Sequence, residues 1–235
     1  MIHLLSTRPL DPFLLEEAAQ KNIRIDAVSF IATQGIRDTA LMQRIQPLTM
    51  GSATIVFTSM NAVEVVAEYL GSQRSMPPPL LWKIFCIGGA TRRLVEEYFG
   101  AAAISGMAPS ASELADVVLR HPPSKVVFFC GDQRREELPE KLTAAGVQVD
   151  EIIVYQTIQT PQTVSNIYDG IVFFSPSAVH SFFSVNSPAE GTSFFAIGKT
   201  TADAIRSYTN SSVITSATPE KEALIRQLIE YYERL

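Results

Sequence analysis

Short apolar runs alternate with longer amphipathic stretches along most of the chain. Ile2–Ser6 is an apolar run closed by turn residues, Pro9–Gln20 has helical spacing in Leu10, Phe13, Leu14 and Ala18, and Ile23–Ala32 alternates as a strand does. Lys125–Cys130, Glu136–Ala145 and Val147–Thr157 repeat that order, with Gly146 placed to stop the helix. A second kind of half-unit begins at Thr54 and again at Gly170. Its strands are Ile55–Thr58 and Ile171–Phe174, then Ile84–Ile87 and Phe194–Ile197, and its helices are Ala62–Leu70 and Ala178–Ser184, then Thr91–Phe99 and Thr201–Tyr208. A short strand (Ala102–Ile104, Val213–Thr215) leads each half-unit into a last helix (Ser112–Leu119, Lys221–Glu230). Strands that alternate with helices of this length predict an α/β protein of parallel sheets with helices on both faces. Gln34–Thr49 and Ile158–Asp169, polar and proline-containing, read as linkers. Ser72–Pro79 and His121–Ser124 read as surface loops.

The chain also repeats itself. VFTSMNAV at 56–63 returns as VFFSPSAV at 172–179, and CIGGAT at 86–91 returns as AIGKTT at 196–201. Ile2 to Thr33 and Val126 to Thr157 share one apolar rhythm, with Leu14 matching Leu138 and Thr33 matching Thr157. A duplicated α/β unit predicts two similar lobes, and a cleft between lobes is a common place for a small-molecule site.

Composition narrows the function. Of 235 residues, 46% are hydrophobic and 18% charged, as in an ordinary globular protein, and the formal net charge is −5. That charge, with no basic run, argues against a nucleic-acid partner. Cys86 and Cys130 each end an apolar run and read as reduced, buried thiols. His3, His121 and His180 form neither a zinc pattern nor a nucleophile–base pattern. Ile2–Leu5 is too short for a signal sequence and Arg8 interrupts it, and no apolar run approaches the roughly 20 residues of a membrane span. The expectation is a soluble, cytoplasmic protein.

The candidate chemistry lies in four strand-to-helix turns: Thr58-Ser59-Met60-Asn61, Ile87-Gly88-Gly89-Ala90-Thr91, Ser175-Pro176-Ser177 and Ile197-Gly198-Lys199-Thr200-Thr201. In a parallel sheet such turns fall at the carboxyl ends of strands, where ligands bind. Helix N-termini there present free N–H groups and partial positive charge, and glycine lets a ligand approach the backbone. Together they suit a polyanion, although each Ser or Thr alone is equally explained as a helix N-cap. No dinucleotide or phosphate-loop fingerprint is complete: Gly88-Gly89 lacks the later glycine, and Gly198-Lys199-Thr200 has Ser193 where the motif needs glycine. Tyr155 matches Ile31 of the other copy, so the repeat does not demand a phenol there. It reads equally as a cleft hydroxyl or a packing aromatic. Arg8, Arg134 and Arg135 follow the first strand of each copy and could pair with carboxylates, though at least one of Arg134 and Arg135 reads as a solvated charge. Lys199 reads either as a rim cation or as solvated.

With these motifs assembled, the chain resembles the uroporphyrinogen-III synthase family. The resemblance rests on Leu5-Ser6-Thr7-Arg8-Pro9, the two repeat pairs, and above all VVFFCGDQRREELPEKLTAAGVQVDEIIVYQT at 126–157. It implies that residues 1–33 join 169–235 in one lobe and 50–155 form the other, with 34–49 and 156–168 as a two-stranded hinge beside the cleft. It implies cyclisation of hydroxymethylbilane to uroporphyrinogen III with loss of water and inversion of ring D, without a cofactor, by a monomer. It suggests transient contact with hydroxymethylbilane synthase, which supplies the bilane. It makes Tyr155 the catalytic phenol and assigns substrate binding to Ser59, Asn61, Gly88, Thr91, Arg135, Ser175, Ser177, Gly198, Thr200, Thr201 and Arg8. Met60 and Lys199 depart from the proline or small residue common at those places. The competing readings are a two-lobed binding protein without catalysis and a nucleotide-dependent enzyme. The first is weakened by the missing secretion signal, the second by the missing phosphate fingerprint.

Overall fold

The computed structural model describes residues 1–72, 81–218 and 220–234, so the expected Ser72–Pro79 loop lies outside the described residues apart from Ser72, which ends a helix. The chain divides into two compact units, Met1–Ala32 with Ile158–Leu235, and Thr33–Thr157.

The first unit is a five-stranded sheet. Its strands are β1 (Ile2–Ser6), β2 (Ile23–Ala27), β9 (Gly170–Phe173), β10 (Ser193–Ala196) and β11 (Val213–Thr215), in the order β11-β10-β9-β1-β2. Every pairing is parallel. Side chains alternate across the sheet, as period-2 geometry requires. Leu5, Ile171, Phe173 and Phe194 pack on one face under helices α7 (Pro176–Phe183) and α8 (Lys199–Arg206). Leu4, Val172 and Phe195 pack on the other under α1 (Pro12–Gln20) and α9 (Lys221–Glu233).

The second unit is a six-stranded sheet of order β3-β8-β7-β4-β5-β6. Its strands are β3 (Ile31–Gly35), β4 (Ser52–Phe57), β5 (Leu81–Ile87), β6 (Ile104–Ala108), β7 (Lys125–Gly131) and the twelve-residue β8 (Gln148–Gln159). Ile55, Phe57, Val127 and Phe129 face helices α2 (Thr39–Ile45), α3 (Met60–Ser72) and α4 (Ala90–Phe99). Val56, Val126, Phe128 and Cys130 face α5 (Ala111–Leu119) and α6 (Glu137–Ala144). Phe57 is the hub of the first face: its ring stacks on Phe129 at 5.5 Å and on Phe99 at 5.9 Å.

The α/β architecture with parallel sheets flanked by helices is as the periodicity predicts, and four local features differ, the first being that residues 156–159 of the expected second linker continue strand β8. The run Ile23–Ala32, expected as one strand, is two strands of different sheets, β2 and β3, with the fully buried Phe30 between them. The short strand expected at Ala102–Ile104 is a 3-10 turn over Ala101–Ala103, and the strand follows as β6. Residues 34–49, expected as linker, are folded into the second unit. Asp38 caps α2 by accepting from the Leu41 amide at 2.7 Å, Leu41 and Ile45 are buried, and Arg44 pairs with Asp150 of β8 at 2.5 Å. The Trp82 indole donates to the Leu48 carbonyl at 2.8 Å and holds the following turn. Two apolar residues four apart are too weak a periodic signal to announce a seven-residue helix.

Candidate functional site

Because the five strands of the first sheet run parallel, as do β4 to β8 of the second, the turns after them gather at one edge of each sheet. In the second unit, Ser59 caps α3 by accepting from the Ala62 amide at 3.4 Å. Ser175 caps α7 by accepting from the Ala178 amide at 3.2 Å. These are matched positions of the repeat, so both serines fill the capping role that their residue type favours. The second pair of turns has diverged. Gly89 sits at φ +71°, in the left-handed region that suits glycine, and precedes α4 without a side-chain cap. Its counterpart Lys199 is instead the exposed first residue of α8, after an extended and likewise uncapped Gly198. Both turns leave helix N–H groups open. The Gly88 amide is already used, donating to the Ala108 carbonyl at 2.8 Å. Thr91 and Thr201 are only 4% and 2% exposed, beneath the helix starts, whereas Thr200 is exposed. Asn61 and Ser177 are half-buried in their turns.

At the carboxyl edge of the second sheet lies a cavity of about 350 Å³. Phe128 and Leu138 supply apolar lining, and Thr58, Ser59, Ser110, Arg134, Arg135, Glu137 and Tyr155 supply the polar lining. A bulge places the tyrosine there. β7 and β8 pair in register up to Cys130 with Ile153, then slip by one residue so that Gly131 faces Tyr155. Such bulges re-aim a side chain at the end of a strand. The Asp132 amide donates to the Tyr155 carbonyl at 3.1 Å, and the Asp132 carboxylate accepts from the Thr157 amide at 2.9 Å, so the backbone is held on both sides of the ring.

The two neighbouring arginines differ in their bonding. Arg134 donates to Glu151 and, at 3.0 Å, to Glu136, and the Glu151 hydrogen bond raises its pKa further above the ordinary arginine value. Arg135 is exposed, lines the cavity and makes no ion pair among the described residues. In the first unit, the exposed Arg8 lies over the Phe174 ring, 5.5 Å from its centroid. The neighbouring Thr7 hydroxyl donates to the Val172 carbonyl at 2.8 Å and fixes that turn. Among the described residues no group of three or more His, Cys, Asp or Glu is placed to hold a metal ion, and no helix is long and apolar enough to cross a membrane.

The turn before α5 escaped the sequence reading. Ser110 accepts from the Glu113 amide at 3.3 Å and donates to the Glu113 carboxylate at 2.9 Å, and Ser110 and Ala111 line the cavity. The Ser-x-x-Glu spacing of a capping box was the available signal.

This fold defines an α/β protein whose second sheet carries at its carboxyl edge a cavity lined by a phenol and by an arginine that makes no ion pair among the described residues. The chain belongs to the uroporphyrinogen-III synthase family, whose model, "Uroporphyrinogen-III synthase HemD", matches residues 14–226. A Saccharomyces cerevisiae uroporphyrinogen-III synthase is 25% identical over 211 residues, 77% of this chain and 76% of the relative. The Helicobacter pylori uroporphyrinogen-III synthetase structure superposes with a TM-score of 0.63 at 14% identity, covering 98% of this chain and all of that one. A mutant Thermus thermophilus uroporphyrinogen III synthase structure gives 0.56 at 14% identity, covering 100% and 99%. In tetrapyrrole biosynthesis this family cyclises hydroxymethylbilane to uroporphyrinogen III, so the chain is a lyase of porphyrin formation.

Proposed function

We propose that catalysis rests on Tyr155 and works by orienting one closure path of the bilane. The observation that carries this reading is the phenol at the bulge, opposite Gly131 and in a cavity with an arginine that makes no ion pair among the described residues. A hydroxymethylpyrrole loses its hydroxyl with little help once the oxygen receives a hydrogen bond or a proton, and Tyr155 is the donor. Left in water, the resulting azafulvene closes head to tail. The protein instead holds the chain so that ring D attacks through its substituted carbon, and the spiro intermediate so formed reopens to the inverted ring. Differential binding of that path, rather than a strong acid–base pair, is the source of selectivity.

The carboxylates of the substrate are held by Arg135, Ser59, Asn61 and the Gly88 turn in one unit. Arg8, Ser175, Ser177, Gly198 and Thr200 are the carboxylate-binding positions of the other unit. Thr91 and Thr201, buried at the starts of their helices, contribute to that binding through the N–H groups of their turns. Helix N-termini each favour an exposed carboxylate by roughly 0.3–1 kcal/mol, and several together give useful affinity without a basic surface. The protein acts as a monomer in the cytoplasm, needs no cofactor, and receives its unstable substrate from hydroxymethylbilane synthase by brief contact. Residues 32–33 and 157–158, where the chain passes between the units, are the hinge.

The test is a coupled assay in which a deaminase makes hydroxymethylbilane from porphobilinogen and the oxidised products are resolved by isomer. Protein-dependent uroporphyrin III is expected, with Tyr155→Phe losing turnover by about 100-fold while product affinity stays within a few-fold. Uroporphyrin I alone from folded protein refutes the reading. Unchanged turnover of Tyr155→Phe removes the role given to the phenol.

A further inference from the structure

The cavity at the carboxyl edge of the second sheet holds two oppositely charged groups that make no ion pair among the described residues, Arg135 and Glu137. Arg135 suits a substrate rich in carboxylates. Glu137 does not, because an anion beside a polyanion weakens ground-state binding. Among the described residues it is the one carboxylate residue lining the cavity.

The ordinary account of Glu137 is the first turn of α6, where acidic side chains offset the helix dipole. That position is already served. Glu140 lies in the same first turn, and Glu136, just before it, is engaged with Arg134. A third acidic residue at the cavity wall therefore calls for another explanation.

The reaction supplies one. When the hydroxymethyl C–O bond breaks, its electron pair leaves with the oxygen, which takes up a proton and departs as water. The pyrrole nitrogen lone pair closes the exocyclic double bond, leaving an azafulvenium cation that still carries N–H. Attack by ring D forms a carbon–carbon bond and moves the positive charge onto ring D. Scission of the old bond and reclosure pass through a second azafulvenium, and a proton is finally lost from the newly joined carbon, balancing the one taken up. Each intermediate is a pyrrole-based cation, although the substrate and product rings are neutral.

We infer that Glu137 is a further catalytic residue, its carboxylate offsetting this transient positive charge and accepting from the pyrrole N–H. The inference rests on the reading of the cavity given under Proposed function. A negative charge at the cavity wall, meeting positive charge that exists only along the reaction path, lowers the barrier without tightening substrate binding.

The test compares wild type, Glu137→Gln and Glu137→Asp in the isomer-resolved assay, with thermal unfolding measured in parallel. Glu137→Gln is expected to lower kcat by about 10- to 100-fold with KM unchanged or reduced, and Glu137→Asp to recover part of kcat. The melting temperature should stay within a few degrees. A lowered melting temperature with unchanged kcat makes Glu137 a helix-stabilising residue and overturns the inference. A lowered KM with unchanged kcat makes it a repulsive wall and also overturns it. If wild type makes no uroporphyrin III, the proposed function itself fails. If wild type is active and Glu137→Gln equals it, only the role of Glu137 fails.

Discussion

Gly131 makes room for Tyr155. A Cβ at position 131 would come within 2.4 Å of the tyrosine Cε2 and Cζ atoms, closer than any normal contact. The glycine is required by the ring rather than by its own backbone, because its φ is not in the left-handed region. Gly131→Ala should therefore fold but push the ring out of place. The expected result is a loss of kcat approaching that of Tyr155→Phe, with stability within about 2 kcal/mol of wild type. Circular dichroism with the isomer assay checks this, and full activity in a folded Gly131→Ala would mean that the ring position does not matter.

Arg134 and Arg135 should separate cleanly. Truncating Arg134 leaves Glu151 and Glu136 without their partner, and Arg134→Ala should lower stability by on the order of 1 kcal/mol. Truncating Arg135 breaks no ion pair among the described residues, so Arg135→Ala should leave the denaturation midpoint in place and raise KM several-fold. Urea titrations and steady-state kinetics on both variants make the comparison, and a reversed pattern would exchange the roles assigned to them.

Acid sensitivity should trace to Asp150. Desolvation alone would raise its pKa, but hydrogen bonds from Lys125 at 2.8 Å and from Arg44 outweigh it and hold the carboxyl below its ordinary 3.8. A depressed carboxylate stabilises the fold above the unfolded-state pKa, and that contribution disappears as pH falls through the lower folded value. Asp26, desolvated but bonded to His3 and Arg24, acts in the same direction. The urea midpoint of wild type should thus fall below about pH 4, and less steeply in Asp150→Asn. Parallel profiles for the two proteins would exclude Asp150 as a source.

The thiols should be inert in the native state. Burial pushes Cys86 up to about 11 and Cys130 up to about 12, so at pH 8 almost no thiolate forms. Ellman's reagent should label neither thiol before unfolding and both in denaturant. Rapid native labelling of either would show that its strand opens.

Much of the fold was legible because each strand carries its own two-sided signal. Val126, Phe128 and Cys130 against Val127 and Phe129 mark a strand buried on both faces whichever sheet receives it. Helix α2 was not legible, because its stability comes from Asp38, from burial of Leu41 and Ile45, and from the Arg44–Asp150 pair, whose residues are 106 positions apart. The break between β2 and β3 was hidden for a related reason: an alternating run does not say which partner each part of it will pair with.

The same division holds at the site. Sequence alone determined the two half-unit patterns, the capping serines Ser59 and Ser175, and the presence of a phenol where the other copy has Ile31. These are local properties of backbone, cap and residue type. Tertiary structure decided that the register slip after Cys130 sets Tyr155 against Gly131, that Arg134 is committed to Glu151 while Arg135 makes no ion pair among the described residues, and that Ser110 and Glu137 line the same cavity. Those outcomes depend on strand registers and on carboxylates distant in sequence, and a register is fixed only when both strands are in the sheet.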